Sequence, residues 1–388
     1  MITVAEALEK VLALVGPLGA ECVPLRQAAG RILAEPCVAR RDQPPFPAAA
    51  MDGYAVAQDP QPGDTLTVIG ESAAGHGFSG AVGCGQAVRI FTGAPVPDGA
   101  VRVIIQEDVS RDGDVITCGQ NMDAATHIRA AGTDFTKGTS FAPAGPLRPA
   151  DIALLAAMNH SELLVRRRPV VALIATGDEL VMPGETPNAD QIVTSNTFGL
   201  AAMIEAEGGV ARCLPVARDT ESSLATAFDL AAGADLIVTI GGASVGDHDL
   251  VAKVAEDRGM DRAFYKIAMR PGKPLMAGRI GGTPMIGLPG NPVSSMVCGT
   301  IFILPMIRAM LGQPTSTAVE TATLASPLPT NGPRAHYMRG HRIDGGVAAF
   351  DSQDSARLGL LARADVLIVR QPHDPERKIG DKVRIIAL

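Results

Sequence analysis

"GLPGNPVSS", Gly287 to Ser295, is the stretch from which the fold is read. It joins the end of an apolar run to a tight turn and a helix start. Asn291 suits an N-cap, Pro292 suits the first helical turn, where its missing N–H costs nothing, and Gly290 permits a bend that a side chain would forbid. A helix that starts this way has unpaired N–H groups and a positive dipole end, which together make an anion site. Taken alone, the stretch is equally an ordinary, well-capped helix start. Its surroundings decide.

Working outward, the same alternation recurs. "PVVALIATG" (169–177) precedes a helix from Asn196, "VARCLPVA" (210–217) a helix from Thr220, "DLIVTIGG" (235–242) a helix after Asp247, and "PMIGLPG" (284–290) the helix from Asn291. Continuous apolar strands between helices of ordinary length predict a parallel sheet covered on both faces. The fold class is therefore α/β multidomain, with a doubly wound, mostly parallel domain over 168–312.

The remaining sequence has other textures. Residues 38–141 show short β-rich runs separated by Gly and Pro, and "VRVIIQEDV" and "DVITC" flank Asp112-Gly113 as a hairpin. The N-terminal run has a Thr3/Glu6 capping box followed by Leu8, Val11, Leu12 and Val15 at helical spacing. "RPADIALLAAMNH" (148–160) is again helical, and the two helices are expected to pair, giving a linker domain from 1–37 and 142–167. Residues 313–388 return to strands, with Asp344-Gly345-Gly346 as a turn, and predict a small β-barrel.

Composition narrows the function. A chain of 388 residues is too long for one core, and 46% hydrophobic residues against 19% charged ones exclude disorder. The net charge of −7 argues against nucleic-acid or anionic-membrane binding but leaves room for a compact basic site. Six scattered cysteines without a CxxC pair predict neither zinc site nor disulfide framework, which fits a cytoplasmic protein. Glu6 and Glu9 argue against a signal peptide. Residues 292–312 are apolar enough to span a membrane, but Pro305, Arg308 and two serines favour a buried helix.

In an open parallel sheet, ligands bind beyond the carboxyl ends of the strands. The loops expected there are "TGDEL" (176–180), "GGASVGDHD" (241–249), "MRPGKP" (269–274) and "LPGNP" (288–292). Gly241, Gly242 and Gly290 admit close backbone approach, while Lys266, Arg270 and Lys273 supply positive charge. Glu179, Asp219, Asp247 and Asp249 add carboxylates, which beside an anionic ligand imply a hard cation such as Mg²⁺. A metal-assisted phosphoanhydride reaction fits. Bland readings exist for each: Asp219 as a helix cap, Asp178 as a turn cap, "RRRP" (166–169) as a solvated strand entrance, His248 as turn chemistry. No nucleophile with an adjacent base is identifiable. "PPFPAAAMDGYAV" (44–56) and "RIFTGAPVPDGA" (89–100) carry Asp52, Tyr54 and Thr92 in loops suited to closing over another domain's rim.

These residues resemble the molybdopterin molybdenumtransferases, the MoeA family, whose relatives include the gephyrin E domain. The matching runs are "AMDGYAV", "IFTGAPVP", "VIIQED", "TGDEL", "QIVTSN", "GGASVGDHD", "AMRPGKP" and "GLPGNPVS", in the family's order and across nearly the whole chain. The resemblance implies a homodimer of four-domain subunits, the doubly wound domain of one facing the β-rich domain of the other. It implies molybdate and adenylylated molybdopterin as substrates, release of AMP, insertion of molybdenum into the dithiolene, Mg²⁺ as cofactor, and transient contacts with other cofactor-synthesis proteins or apo-molybdoenzymes.

Carried over by motif, the catalytic set is Asp52, Thr92, Asp134, Glu179, Asp219 and Asp249, with Glu179 and Asp249 as metal ligands. The binding set is Gly241, Gly242, Ser244, Lys266, Arg270, Lys273, Pro289, Gly290, Asn291, Pro292 and Ser355. In this scheme the three cations bind pterin phosphate or molybdate, and Asp52, Thr92 and Asp134 line the facing wall. The chain departs from the family pattern at Pro47 and Ala49, where an acid and a serine are usual, at Val101, and at Arg270, which replaces a frequent lysine. Two alternatives stand beside this reading: molybdopterin adenylylation, which shares the doubly wound fold, and a non-catalytic gephyrin-like scaffold.

Overall fold

The computed structural model describes residues 1–242 and 250–388. The readings placed on Ser244, Asp247, His248 and Asp249 lie outside them. Two compact units are present: Cys22–Val165, and Met1–Glu21 together with Arg166–Leu388.

Helix α1 (Val4–Leu12) opens with the expected capping box, Glu6 N–H donating to Thr3 Oγ1 at 3.2 Å and Thr3 N–H to Glu6 Oε2 at 2.7 Å. It buries Ala7 and Val11. The segment is held by Leu18 N–H to Met310 C=O, 2.7 Å, and by Arg279 to Leu14 C=O, 2.6 Å. Residues 1–21 thus belong with the 166–388 unit, which corrects the pairing of the two distant helices: the apolar stripe of α1 finds its cover on the doubly wound side.

In the Cys22–Val165 unit, β1 (Gly53–Val56), β2 (Thr65–Ser72), β3 (Gln86–Ile90), β4 (Arg102–Ile105), β5 (Val109–Asp112) and β6 (Val115–Cys118) form a sheet of order β4-β1-β3-β2-β6-β5. Only β2 and β3 run parallel. The 101–109 run expected as one strand is interrupted by a 3₁₀ turn at Gln106–Asp108, where the ladder with β1 ends and Gln106 N–H turns to Asp52 C=O. Gly113, at φ 59°, makes the expected β5–β6 turn. Helix α2 (Pro149–Ala157) buries Leu155 in a separate core with Val23, Leu147, Met158 and Leu163.

The other unit is built on β7 (Val170–Ala175), α3 (Asn196–Ala206), β8 (Val210–Cys213), α4 (Glu221–Leu230), β9 (Leu236–Ile240), α5 (Leu250–Asp257), β10 (Asp261–Tyr265), β11 (Met269–Arg270), β12 (Met276–Ile280) and β13 (Thr283–Leu288). Its sheet has the order β8-β7-β9-β13-β12-β10. The first four strands are parallel, and β12 and β10 extend the sheet antiparallel. Alternation along β7 decides the layers: Ala172 and Ile174 meet Leu224, Phe228, Val251 and Val254 of α4 and α5, so Val171 and Leu173 face the opposite layer. That layer contains α3 and α6 (Pro292–Met310), the helix long and apolar enough to cross a membrane. It lies 78% buried within this unit as a core helix, and at Gly299–Ile303 it widens into a π turn.

Beyond it, β14 (Glu320–Thr323), β15 (Ala335–Ile343), β16 (Gly346–Ala349), β17 (Val366–Arg370) and β18 (Lys382–Ala387) pair in the circuit β16-β15-β17-β18-β14. Ala325 N–H to Val347 C=O and the Leu324–Val347 bridge return β14 to β16. The result is the expected barrel, filled by Leu324, Met338, Val347, Val366, Ile368, Val383 and Ile385. Strand β11 pairs with β15 and seats the barrel on the doubly wound layer.

Candidate functional site

Because β8 and β9 lie on opposite sides of β7, the carboxyl ends of β7 and β9 form a topological switch point, the place where such sheets bind ligands. A cavity of about 600 Å³ opens there. Its floor comes from Thr176 after β7, Gly241 and Gly242 after β9, and Gly290, Asn291 and Pro292 after β13. Gly241 and Gly242 have φ of 91° and 68°, and a Cβ on Gly241 would come within 2.9 Å of Thr176 C=O. Only glycine fits the bend.

Glu179 and Asp219 add carboxylates to the wall. Asp219 is not the helix cap: Thr220 Oγ1 accepts from Ser223 N–H at 3.3 Å. Asp178 instead ties two rim loops together, accepting from Asp219 N–H at 3.2 Å. Asn291 occupies the N-cap position of α6 without a side-chain bond, against expectation. The first turn is completed otherwise, by Ser355 C=O accepting from Val293 N–H at 3.2 Å and by Ser295 Oγ donating to Pro289 C=O. Ser355 therefore reaches the turn through its main chain, and its neighbour Ala356 lines the cavity.

The QIVTSN run supplies what sequence reasoning passed over. Ile192, Val193, Thr194, Ser195 and Asn196 all line the cavity. Asn196 donates from Nδ2 to Gly290 C=O at 2.7 Å, so the first residue of α3 holds the turn before α6. Thr194 and Ser195, two polar residues before a helix start, were the available signal.

Lys266, Arg270 and Lys273 do not line this cavity. Their loop leaves the same sheet edge but joins β10 to β12, and β12 lies against β13 on the side away from β9, with Met276 opposite Gly287. Lys266 lies with Nζ 4.8 Å from the Tyr265 ring centre. Arg270 pairs through its main chain with His336 of the barrel, in a cationic patch with Arg334 and Arg339. Arg339 is 1% exposed, and its donors go to neutral oxygens: Asp354 C=O at 2.7 Å, Gln353 Oε1 at 3.2 Å. Burial, with Arg270 and Arg357 nearby, pulls its pKa down. Burial, and after it the charges of Arg270, Arg339, Arg370 and Arg334, depress His336 to about 4. The sequence offered no signal for Arg339 or His336. Arg166–Arg168 are structural, with Arg167 bidentate to Asp235 at 2.6 and 2.9 Å.

In the Cys22–Val165 unit, Asp52 Oδ1 accepts from both Thr92 N–H and Thr92 Oγ1 at 2.7 Å. These two donors, and after them the charge of Arg89, hold the carboxyl below its usual range. Asp134 is exposed, its N–H donating to Gln43 C=O at 2.9 Å. Pro47 and Ala49 act through their main chains: Val96 N–H donates to Pro47 C=O, Gly93 N–H to Ala49 C=O, and Ala49 N–H to Ala94 C=O. The Thr92 loop is therefore held without the side chains lost there.

Among the described residues, no three His, Cys, Asp or Glu side chains converge into a metal cage. Glu179 and Asp219 on the wall still fit Mg²⁺, which habitually takes one or two carboxylates and completes its shell with phosphate oxygens and water.

A switch-point cavity floored by glycines, walled by carboxylates and flanked by a β-barrel defines a doubly wound α/β protein with its ligand cavity at the strand ends. Its relatives make the class specific. Residues 2–159 match the MoeA N-terminal region (domain I and II), 172–309 a probable molybdopterin binding domain, and 321–388 the MoeA C-terminal region (domain IV). The chain is 38% identical to molybdopterin molybdenumtransferase 2 of Mycobacterium tuberculosis over 79% of its length and 80% of that protein's. With the molybdopterin molybdenumtransferase of Haemophilus influenzae the figures are 37%, 81% and 78%. The crystal structure of a molybdopterin biosynthesis MoeA protein from Pyrococcus horikoshii superposes with a TM-score of 0.87 at 30% identity, covering 100% of this chain and 99% of that one. The chain belongs to the molybdopterin molybdenumtransferase family.

Proposed function

We propose that this protein inserts molybdenum from molybdate into the dithiolene of adenylylated molybdopterin, with cleavage of the adenylyl phosphoanhydride and release of AMP. The observation that carries the reading is the convergence of Glu179, Asp219, Gly241, Gly242 and Gly290 on one switch-point cavity. In this reading the glycine N–H groups receive phosphate oxygens. Glu179 and Asp219 would hold Mg²⁺ there, and its chemistry would be charge neutralisation at the phosphate. Asp249, outside the described residues, joins them as a ligand.

Arg270, Lys266 and Lys273 take the oxyanion, molybdate or pterin phosphate. Support comes from Arg339, a buried guanidinium beside Arg270 whose hydrogen bonds go to neutral oxygens, with the Asp354 charge nearby only partly offsetting the cations gathered there. Asp52, Thr92 and Asp134 form the facing wall, supplied by the partner in a homodimer of a cytoplasmic protein.

The test is AMP release from adenylylated molybdopterin by the purified protein with Mg²⁺, with and without molybdate. The reading expects molybdate-dependent release and a product that activates an apo-molybdoenzyme. Tight substrate binding with no release would overturn it in favour of a scaffold, and consumption of ATP with unmodified molybdopterin in favour of adenylylation.

A further inference from the structure

Arg89 was not among the residues singled out from the sequence, and the reading above gives it no role. Its surroundings are unusually complete for a half-buried arginine. Nη1 donates to Gly53 C=O at 3.1 Å and Nη2 to Gln106 Oε1 at 2.7 Å. The guanidinium lies 4.6 Å from the Phe91 ring centre and 5.2 Å from that of Tyr54, within cation–π reach of both. Of these partners Gly53 follows Asp52, Phe91 precedes Thr92, and Gln106 is bonded to Asp52.

The connections close into a ring around Asp52. Gln106, held by Arg89 through its side chain, donates its own N–H to Asp52 C=O at 3.0 Å. Gly53, held by Arg89 through its carbonyl, is pressed so closely on β4 that a Cβ would stand 1.9 Å from Ile104 C=O. Phe91, under the guanidinium, precedes Thr92, whose two donors converge on Asp52 Oδ1. The Asp52 and Gly53 carbonyls are thus tied to one cation, the first through Gln106. Oδ2 accepts from no donor among the described residues. A carboxylate fixed through one oxygen, with the other open, is placed to act on something that arrives.

We infer that Arg89 is the positioning residue of Asp52: it fixes the orientation of the carboxylate through Gly53 and Gln106, without touching substrate itself. The inference rests on Asp52 belonging to the reaction site. A structural arginine would stabilise the sheet and, in a variant that still folds, leave kcat alone. A positioning one moves both the geometry and the acid limb of the pH profile, because the depressed carboxyl pKa depends in part on its charge.

The experiment compares wild type, Arg89→Lys, Arg89→Met and Asp52→Asn as full chains. Molybdate-dependent AMP release is followed from pH 4 to 8, and the Asp52 carboxyl is titrated by carbon NMR of aspartate-labelled protein, assigned by its loss in Asp52→Asn. Arg89→Met is expected to lower kcat roughly tenfold with KM little changed, as for a lost orientation, and to shift the Asp52 titration and the acid limb upward together. Arg89→Lys, which keeps the charge but not the fork, is expected to restore the limb and only part of kcat. An unchanged kcat in a folded Arg89→Met protein overturns the inference, as does full recovery of kcat by lysine. If the titration moves while Asp52→Asn turns over like wild type, the catalytic place of Asp52 falls and Arg89 is left a structural role.

Discussion

The main-chain N–H of Val293 donates to the carbonyl of Ser355 at 3.2 Å, so the barrel supplies a cap that Asn291, in the right position, does not. The helix N-terminus that frames the cavity is in this way tied to the C-terminal domain.

Since the Ser355 carbonyl makes that contact, Ser355→Ala is expected to leave stability within about 0.5 kcal/mol of wild type. Urea denaturation checks this. Binding of adenylylated molybdopterin, measured by calorimetry, separates any part played by the hydroxyl.

Asn196 holds Gly290 C=O through its amide. Asn196→Asp sets a carboxylate oxygen against that carbonyl, whereas Asn196→Ala leaves the carbonyl to water. The aspartate variant is therefore expected to be the worse of the two, losing about 1–3 kcal/mol and raising KM more than kcat falls. Steady-state kinetics and chemical denaturation of both variants test the order.

Thr92 gives Asp52 two donors, one from its main chain and one from its hydroxyl. Thr92→Val removes the hydroxyl donor and keeps the shape, so the carboxyl pKa rises toward its ordinary value and the acid limb of activity moves to higher pH. Thr92→Ser is expected to restore the limb. A pH–rate profile of the three proteins decides.

His336, 7% exposed and ringed by Arg270, Arg334, Arg339 and Arg370, titrates at about 4 when folded, against an ordinary value near 6.5. Between these values the unfolded chain binds the extra proton, so stability is fully present above about pH 6.5 and falls as the pH drops toward 4. The loss is on the order of 3 kcal/mol. Urea midpoints at pH 7 and 4.5 check it, with His336→Gln expected to flatten the slope. An oxyanion bound in the same patch should raise the His336 midpoint, which proton NMR with added molybdate or tungstate would read.

Much of the architecture was legible because strand–helix alternation and a single capping box are local properties of the chain. "PVVALIATG" and "DLIVTIGG" could be little else than buried parallel strands, and the glycines that end them sit where the cavity is. What escaped was relational. Nothing local in "MRPGKP" says that it leads into a strand on the side of β13 away from the switch point, and nothing in "YMRGH" says that Arg339 is enclosed beside Arg270. The partner of α1 was misjudged for the same reason: an apolar stripe states that it must be covered, not by what.

The unit Cys22–Val165 is an insertion within the other, whose chain resumes beside the point where it left, with Arg167 N–H donating to Gly19 C=O at 2.9 Å. This bears on synthesis. About 280 residues separate Leu12 from Pro292, so at ribosomal rates α1 waits roughly 15 to 60 s for the helix it rests on, while the inserted unit is already complete. A nascent chain halted near residue 166 should carry a folded middle and an undocked, protease-sensitive N-terminus.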